Sequence, residues 1–205
     1  MRILPMFPLG SVLFPHMPLP LRIFEERYLV MLADILGDEP SEFGVVLIER
    51  GQEVGGGEQR FKFGTVAQIA TAEVTEGFVG LIAQGERRIE VIEWLDDAPY
   101  PKARVRELEE FEWSDDLQPL REKAEHLVRR TLAMASEFSD QMWSSTVELS
   151  EDPVAAAWQL AGIAPVGPLD QMSLVCASSV QQLLELVIEY TEATNDSLQS
   201  PWPDE

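Results

Sequence analysis

The sequence predicts an α+β protein: a β-rich half with one inserted helix, then a helical half. Three observations predict it. Between Arg2 and Leu108, short runs rich in Val, Ile and Phe are bounded by turn residues. Beyond Asp116, apolar residues recur at helical spacing instead. The two patterns follow one another and do not alternate, so strands and helices are segregated. Evenly spaced short strands hide their edges best in a small barrel or sandwich. The expected division is 1–112 for the β-rich part, 113–197 for the helical part and 198–205 for a tail, with the seam near the acidic stretch Glu109–Asp116.

In the first half, Arg2–Phe7 reads as a short apolar strand. Pro8, Pro15, Pro18 and Pro20 lack backbone donors and confine the next stretch to extended loop or edge strand. Glu25–Leu36 predicts an amphipathic helix, with Tyr28, Met31, Leu32 and Ile35 on one face and Gly37 as its stop. Phe43–Glu49 is a buried strand. Gly51–Glu58, with its glycines, is a hairpin loop. Strands are then expected over 61–74, 77–84, 87–94 and 103–108, with a proline-bearing turn at Asp96–Pro101.

In the second half, Asp116 caps a helix whose first turn tolerates Pro119. Its stripe is Leu120, Ala124, Leu127, Val128, Thr131, Ala135 and Phe138. Asp152-Pro153 opens a second helix running to about Ala161. Leu169–Ala177 is a third. Ser178 and Gln181 form a capping box for the last, which turns Val180, Leu183, Leu184, Val187 and Tyr190 inward. From Asn195 onward the chain reads as a frayed tail.

Composition narrows the function. Asp plus Glu number 36 and Lys plus Arg 15, for a net charge of −21. Nucleic acid and anionic lipid both need a basic footprint, so neither is an expected partner. No Lys or Arg follows Arg130. Partners of apolar or basic character fit this surface. Cys176, the only cysteine, lies in an apolar run and reads as a buried thiol. With no h-region at the N-terminus and no long apolar stretch, a cytoplasmic location is expected.

Catalytic motifs are missing. There is no P-loop pattern and no nucleophile elbow, and Gly55-Gly56-Gly57 lacks the spacing of a dinucleotide fingerprint. His16 and His126 are the only histidines, too few for a zinc site with the single cysteine; no metal and no cofactor are expected. A small Ser-dependent hydrolase using one of them stands as an alternative. Lys62 lies between Phe61 and Phe63, so strand alternation turns it to solvent if the rings face the core. The remaining candidates are apolar. Phe14, Pro15, His16 and Met17 form a stiff loop, and Trp113 and Trp143 lie near element ends. Trp and Met are favoured at protein-binding surfaces, so these residues are the candidate partner contacts.

One segment carries a resemblance. Leu4-Pro5-Met6-Phe7-Pro8-Leu9-Gly10-Ser11-Val12-Leu13-Phe14-Pro15, followed by Leu19-Pro20-Leu21-Arg22-Ile23-Phe24-Glu25-Glu26-Arg27-Tyr28, resembles the opening of the Lon protease N-terminal, substrate-binding domain. It is most similar to the stand-alone form without ATPase and peptidase domains. Phe43–Ile48, Gly64–Ile69 and Gly85–Val91 agree in order, with Ile89 where the family has Phe. The resemblance implies a PUA-like β-barrel followed by a C-terminal helical bundle. It also implies a non-enzymatic module for binding polypeptide segments, with an adaptor role in proteolysis or quality control as one use. A family label such as peptidase S16 describes ancestry here, since neither the P-loop nor the Ser-Lys pair has a counterpart. RNA binding, known for PUA-like barrels, is opposed by the charge. Phe24 and Tyr28 are expected to anchor the inserted helix, and Arg22 and Arg27 to make ion pairs.

Overall fold

The computed structural model describes residues 1–37, 39–51, 53 and 57–199. Gly55, Gly56 and the final residues 200–205, including Trp202, lie outside the described residues. The chain divides into two compact units, Met1–Glu110 and Phe111–Glu205.

The N-terminal unit contains strands β1 (Arg2–Leu9), β2 (Pro18–Ile23), β3 (Glu42–Arg50), β4 (Gln59–Thr75), β5 (Phe78–Trp94) and β6 (Lys102–Glu107), with helix α1 (Glu26–Ile35) inserted after β2. They form a mixed sheet. β1 runs parallel to β3, with Met6 opposite Gly44, and antiparallel to β6, with Arg2 opposite Val105. β4 joins β3 to β5, and β5 also pairs with β6, Val91 opposite Val105. The pairings therefore return to their start through β1, β3, β4, β5 and β6, while β2 is attached to β5 alone. Side chains enclosed by this circuit form the core: Leu4, Met6, Val46, Val66, Ile89, Val91, Ala103 and Val105 are all buried.

The strands at 77–84 and 87–94 are in fact one. β5 runs 17 residues without a break, and β4 matches it. Gly85 is a place of close approach, not a turn. A Cβ there would stand 2.1 Å from the Phe14 carbonyl oxygen. Instead the Gly85 N–H donates to Met17 O and its carbonyl accepts from His16 N, each at 2.8 Å. Glycine in a strand interior commonly marks this kind of approach.

On α1 the four buried residues are Tyr28, Met31, Leu32 and Ile35, as the spacing predicts. Tyr28 stacks on Phe7 at 4.0 Å. Phe24 does not share this anchoring; it is 59% exposed, because it precedes the first helical turn. Arg27 pairs with Glu25 at 3.1 Å, whereas Arg22 lies over the Phe78 ring. The scarce bases serve two buried carboxylates. Glu42 receives Arg2 and Arg87, each at 2.8 Å. Glu90 receives Lys62, at 2.5 Å, and Arg106. Those two hydrogen bonds hold the Glu90 carboxyl below its usual range.

The C-terminal unit contains a 3₁₀ turn at Asp115–Leu117, then α2 (Gln118–Ala135), α3 (Pro153–Ile163), α4 (Pro168–Val175) and α5 (Val180–Gln199). The α3 start is as predicted: Asp152 Oδ1 accepts from Ala155 N at 2.7 Å, and Pro153 follows. Trp158 is buried and stacks on Phe111 at 5.0 Å. α2 stops before Phe138, which is consequently 63% exposed instead of completing the stripe. The cap of α5 sits one residue later than expected. Ser179 Oγ accepts from Gln182 N, while the Gln182 side chain accepts from Ser178 N. α5 also continues into the expected tail as far as Gln199, with Thr191 and Asn195 buried at helical spacing after Val187; Tyr190 is only half-buried. Cys176 is exposed, not buried. It follows the last residue of α4, where the buried positions are Met172, Leu174 and Val175.

Candidate functional site

The loop expected to present apolar side chains turns them inward. Phe14, Pro15 and Met17 are buried, and only His16 is exposed. Three bonds pull the loop against the sheet: the two with Gly85, and the buried Thr65 hydroxyl donating to Leu13 O at 2.7 Å. His16 takes a positive φ of 61°, which lets the chain reverse while its neighbours stay inside. In the C-terminal unit Trp113 and Trp143 are half-buried. The Trp113 indole N–H donates to Asp115 Oδ1 at 3.2 Å, and Met142, beside Trp143, is 85% exposed. His126 is exposed on α2, and Lys62 reaches solvent at one end of its pair with Glu90. Among the described residues no group of three or more His, Cys, Asp or Glu is placed to hold a metal ion.

An apolar surface does exist in the N-terminal unit, where β2, β5 and β4 extend side by side. Pro20, Ile82 and Thr71 stand in one cross-strand row. Arg22, Gly80 and Glu73 stand in another, two residues along each strand. Side chains two apart point to the same face, so both rows share one shelf. Ile82 is 50% exposed, Pro20 is exposed and Phe78 is half-exposed. Gly80 leaves the middle without a side chain, and a depression of about 500 Å³ results. A Cβ at Gly80 would meet only Glu73 O at 3.7 Å and Phe78 Cε2 at 3.9 Å, so the hollow is open above it. Arg22 lies 5.1 Å over the Phe78 ring, leaving Glu73 as the anion of the rim. Chemically this is a small greasy hollow that accepts an apolar knob and favours a cation beside Glu73.

A smaller cavity of about 190 Å³ shares Pro20, Leu21 and Arg22 with it and is lined further by Phe7, Leu9, Ile23, Phe24 and Tyr28 among others. The Tyr28 hydroxyl is buried without a hydrogen-bond partner. Burial pushes its pKa up to about 12.

Sequence reasoning did not find the shelf. Phe78-Val79-Gly80-Leu81-Ile82-Ala83 is apolar at nearly every position, so alternation does not say which residues face out. The signal available was that a strand apolar on both faces needs a cover on both. Here Leu81 and Ala83 have theirs and Ile82 does not.

The chain belongs to the ATP-dependent protease La (LON) substrate-binding domain family, whose model matches residues 3–193. It is 33% identical over 119 residues to a Lon protease of Anaeromyxobacter dehalogenans, a match covering 57% of this chain and 14% of that protein. It is 23% identical over 189 residues to a Lon protease of Heliobacterium modesticaldum, covering 91% of this chain and 23% of that one. The chain thus spans less than a quarter of the length of these curated relatives. In structure it is similar to the Lon N-terminal domain protein from Xanthomonas campestris, with a TM-score of 0.67, 25% identity and coverage of 93% of this chain and 99% of that one. The N-terminal domain of a Mycobacterium avium complex Lon protease has the same fold, with a TM-score of 0.65, 17% identity, and 93% and 98% coverage. The fold is therefore that of Lon N-terminal domains, a mixed sheet with five helices, and the family is one of substrate recognition. No helix among the described residues is long and apolar enough to cross a membrane.

Proposed function

We propose that the chain is a non-enzymatic recognition module that holds segments of other polypeptides, acting as an adaptor in proteolysis or quality control. The observation that carries this reading is the shelf over Gly80: exposed Ile82, Pro20 and Phe78 around a hollow, in a family of substrate-binding domains. Apolar surface left uncovered on a folded protein commonly serves binding. The closed circuit of pairings is read as the PUA-like barrel, with the helices of the second unit as a bundle; the functional division runs near residue 112. The charge of −21 favours apolar or basic segments and disfavours nucleic acid and membrane surfaces. A cytoplasmic setting follows from the same reading. The half-buried Trp113 and Trp143 remain contact candidates in the second unit, and His16 in the first.

The test is retention of reduced, alkylated lysozyme, a basic unfolded chain, by the full-length protein in size-exclusion and anisotropy measurements, with native lysozyme as control. Preferential retention of the unfolded form, weakened about tenfold by Ile82→Asp, is expected; that loss corresponds to about 1.4 kcal/mol. Equal retention of both forms, or cleavage of either, overturns the proposal.

A further inference from the structure

β4 outlasts its partner on one side. Pairing with β3 ends at Gln68 opposite Glu42, and Ile69 N makes a last bond to Ser41 O at 2.9 Å. After an irregularity between Ile69 and Thr71, the strand continues through Thr71-Ala72-Glu73-Val74-Thr75, paired with β5 alone. Among the described residues no strand pairs with its outer edge there. The segment is exposed throughout, Val74 at 83%. The opposite border of the same three strands is β2, whose edge carries Pro18 and Pro20. Proline removes ladder donors and blunts an edge against further pairing. The β4 edge has no proline and no lysine, so one border is closed to strand addition and the other is open.

A second copy of this chain is a poor occupant. Antiparallel self-pairing centred on the segment sets Glu73 against Glu73, and like charges directly opposite one another are destabilising. The same carboxylate favours a chain that brings a cation to that position. Thr71, Glu73 and Thr75 face the shelf side, and Ala72 and Val74 the other. Residues of an added strand follow the same alternation.

We infer that the outer edge of β4 at Thr71–Thr75 takes up an extended polypeptide segment as an added strand, with a basic residue opposite Glu73 and apolar residues opposite Ala72 and Val74. Main-chain bonds supply affinity that does not depend on side chains, and Glu73 and Val74 supply the preference. The inference rests on the reading of the chain as a polypeptide-binding module and adds its mode and its motif.

The experiment uses the full chain and a fluorescent, blocked peptide Ser-Thr-Val-Lys-Val-Thr-Ser, compared with the same peptide carrying Glu for Lys, and with one N-methylated at alternate residues. Expected are binding of the Lys peptide several-fold or more above the Glu peptide, loss with N-methylation, and an isotope-edited amide band of the bound peptide in the β-sheet position. Glu73→Lys should reverse the preference between the two peptides. Tolerance of N-methylation overturns strand addition, and equal binding of both peptides or an unchanged preference in Glu73→Lys overturns the placement of a basic residue opposite Glu73; either result sinks the inference. If unfolded lysozyme is still retained and Ile82→Asp still weakens it, the recognition reading stands while this inference falls. If unfolded lysozyme is not retained, both fall.

Discussion

Replacing Gly85 by alanine puts the packing of the Phe14–Met17 loop to a quantitative test. The added Cβ would stand 2.1 Å from Phe14 O, 3.0 Å from Phe14 C and 3.3 Å from Leu13 Cδ1. The first two are backbone atoms and cannot swing aside, so the loop must leave the strand. Overpacking of this kind costs about 1–3 kcal/mol. The two bonds between Gly85 and the loop, His16 N to its carbonyl and its N–H to Met17 O, stretch with it. Each contributes about 0.5–1.5 kcal/mol. A loss of about 2–6 kcal/mol is the sum, against a typical total of about 5–15 kcal/mol. Gly80→Ala is the control on the same strand, since its Cβ meets nothing closer than 3.7 Å. There alanine also removes backbone freedom from the unfolded chain, worth about 0.5 kcal/mol in the opposite direction. Urea unfolding followed by pulsed amide exchange reads the N-terminal unit separately from the other. With an m-value of about 1–3 kcal/mol per molar, the Gly85→Ala midpoint should fall by at least about 0.7 M, and the Gly80→Ala midpoint should stay or rise. If the two variants unfold within a few tenths of a molar of each other, the account of this loop is wrong.

The remaining predictions concern tyrosine ionisation and a helix cap. Tyr28 and Tyr100 both have pKa values pushed up to about 12, Tyr28 by burial and Tyr100 by burial together with its hydrogen bond to Asp34. A raised phenol pKa favours the neutral form in the folded state, so this contribution is complete below the ordinary value of 10.0 and is lost as pH rises towards 12. Phenolate absorbance of the folded chain at about pH 11 should therefore fall short of the unfolded chain by roughly one and a half tyrosines, and Tyr28→Phe should shrink the gap; coincident titrations would contradict it. Asp152→Ala removes the acceptor for Ala155 N and should destabilise the C-terminal unit by about 1 kcal/mol, while Asp152→Asn costs a few tenths; thermal melts of the two variants settle the difference.

Helices were the legible part of this sequence, and the face of α1 shows why. Its buried residues Tyr28, Met31, Leu32 and Ile35 recur at three- and four-residue spacing, so period names them even though Leu29 and Val30 between them are also apolar and stand 37% exposed. The α5 cap was legible only to within a residue, because Ser178-Ser179-Val180-Gln181-Gln182 contains the same motif in two registers. What lay beyond reach depended on partners distant in the chain. Gly85 looks like a turn until Phe14 is seen against it. The fate of the Phe14–Met17 loop is set by Thr65 and Gly85, and nothing local distinguishes a proline-stiffened loop facing water from one folded under. The shelf escaped for a different reason: with both faces of β5 apolar, composition holds no record of which side lacks a cover.

The way β6 completes the N-terminal unit bears on its synthesis. The first strand meets its final neighbour only when the segment around Val105 has left the ribosome, since Arg2 is paired there. β5 must likewise wait for β6 along Ile89–Trp94. Translation at about 5–20 residues per second therefore leaves the nascent unit unsealed for several seconds, with the strands that will line its interior still wet. A protein proposed to hold segments of other, unfolded polypeptides thus passes through an interval in which it resembles them.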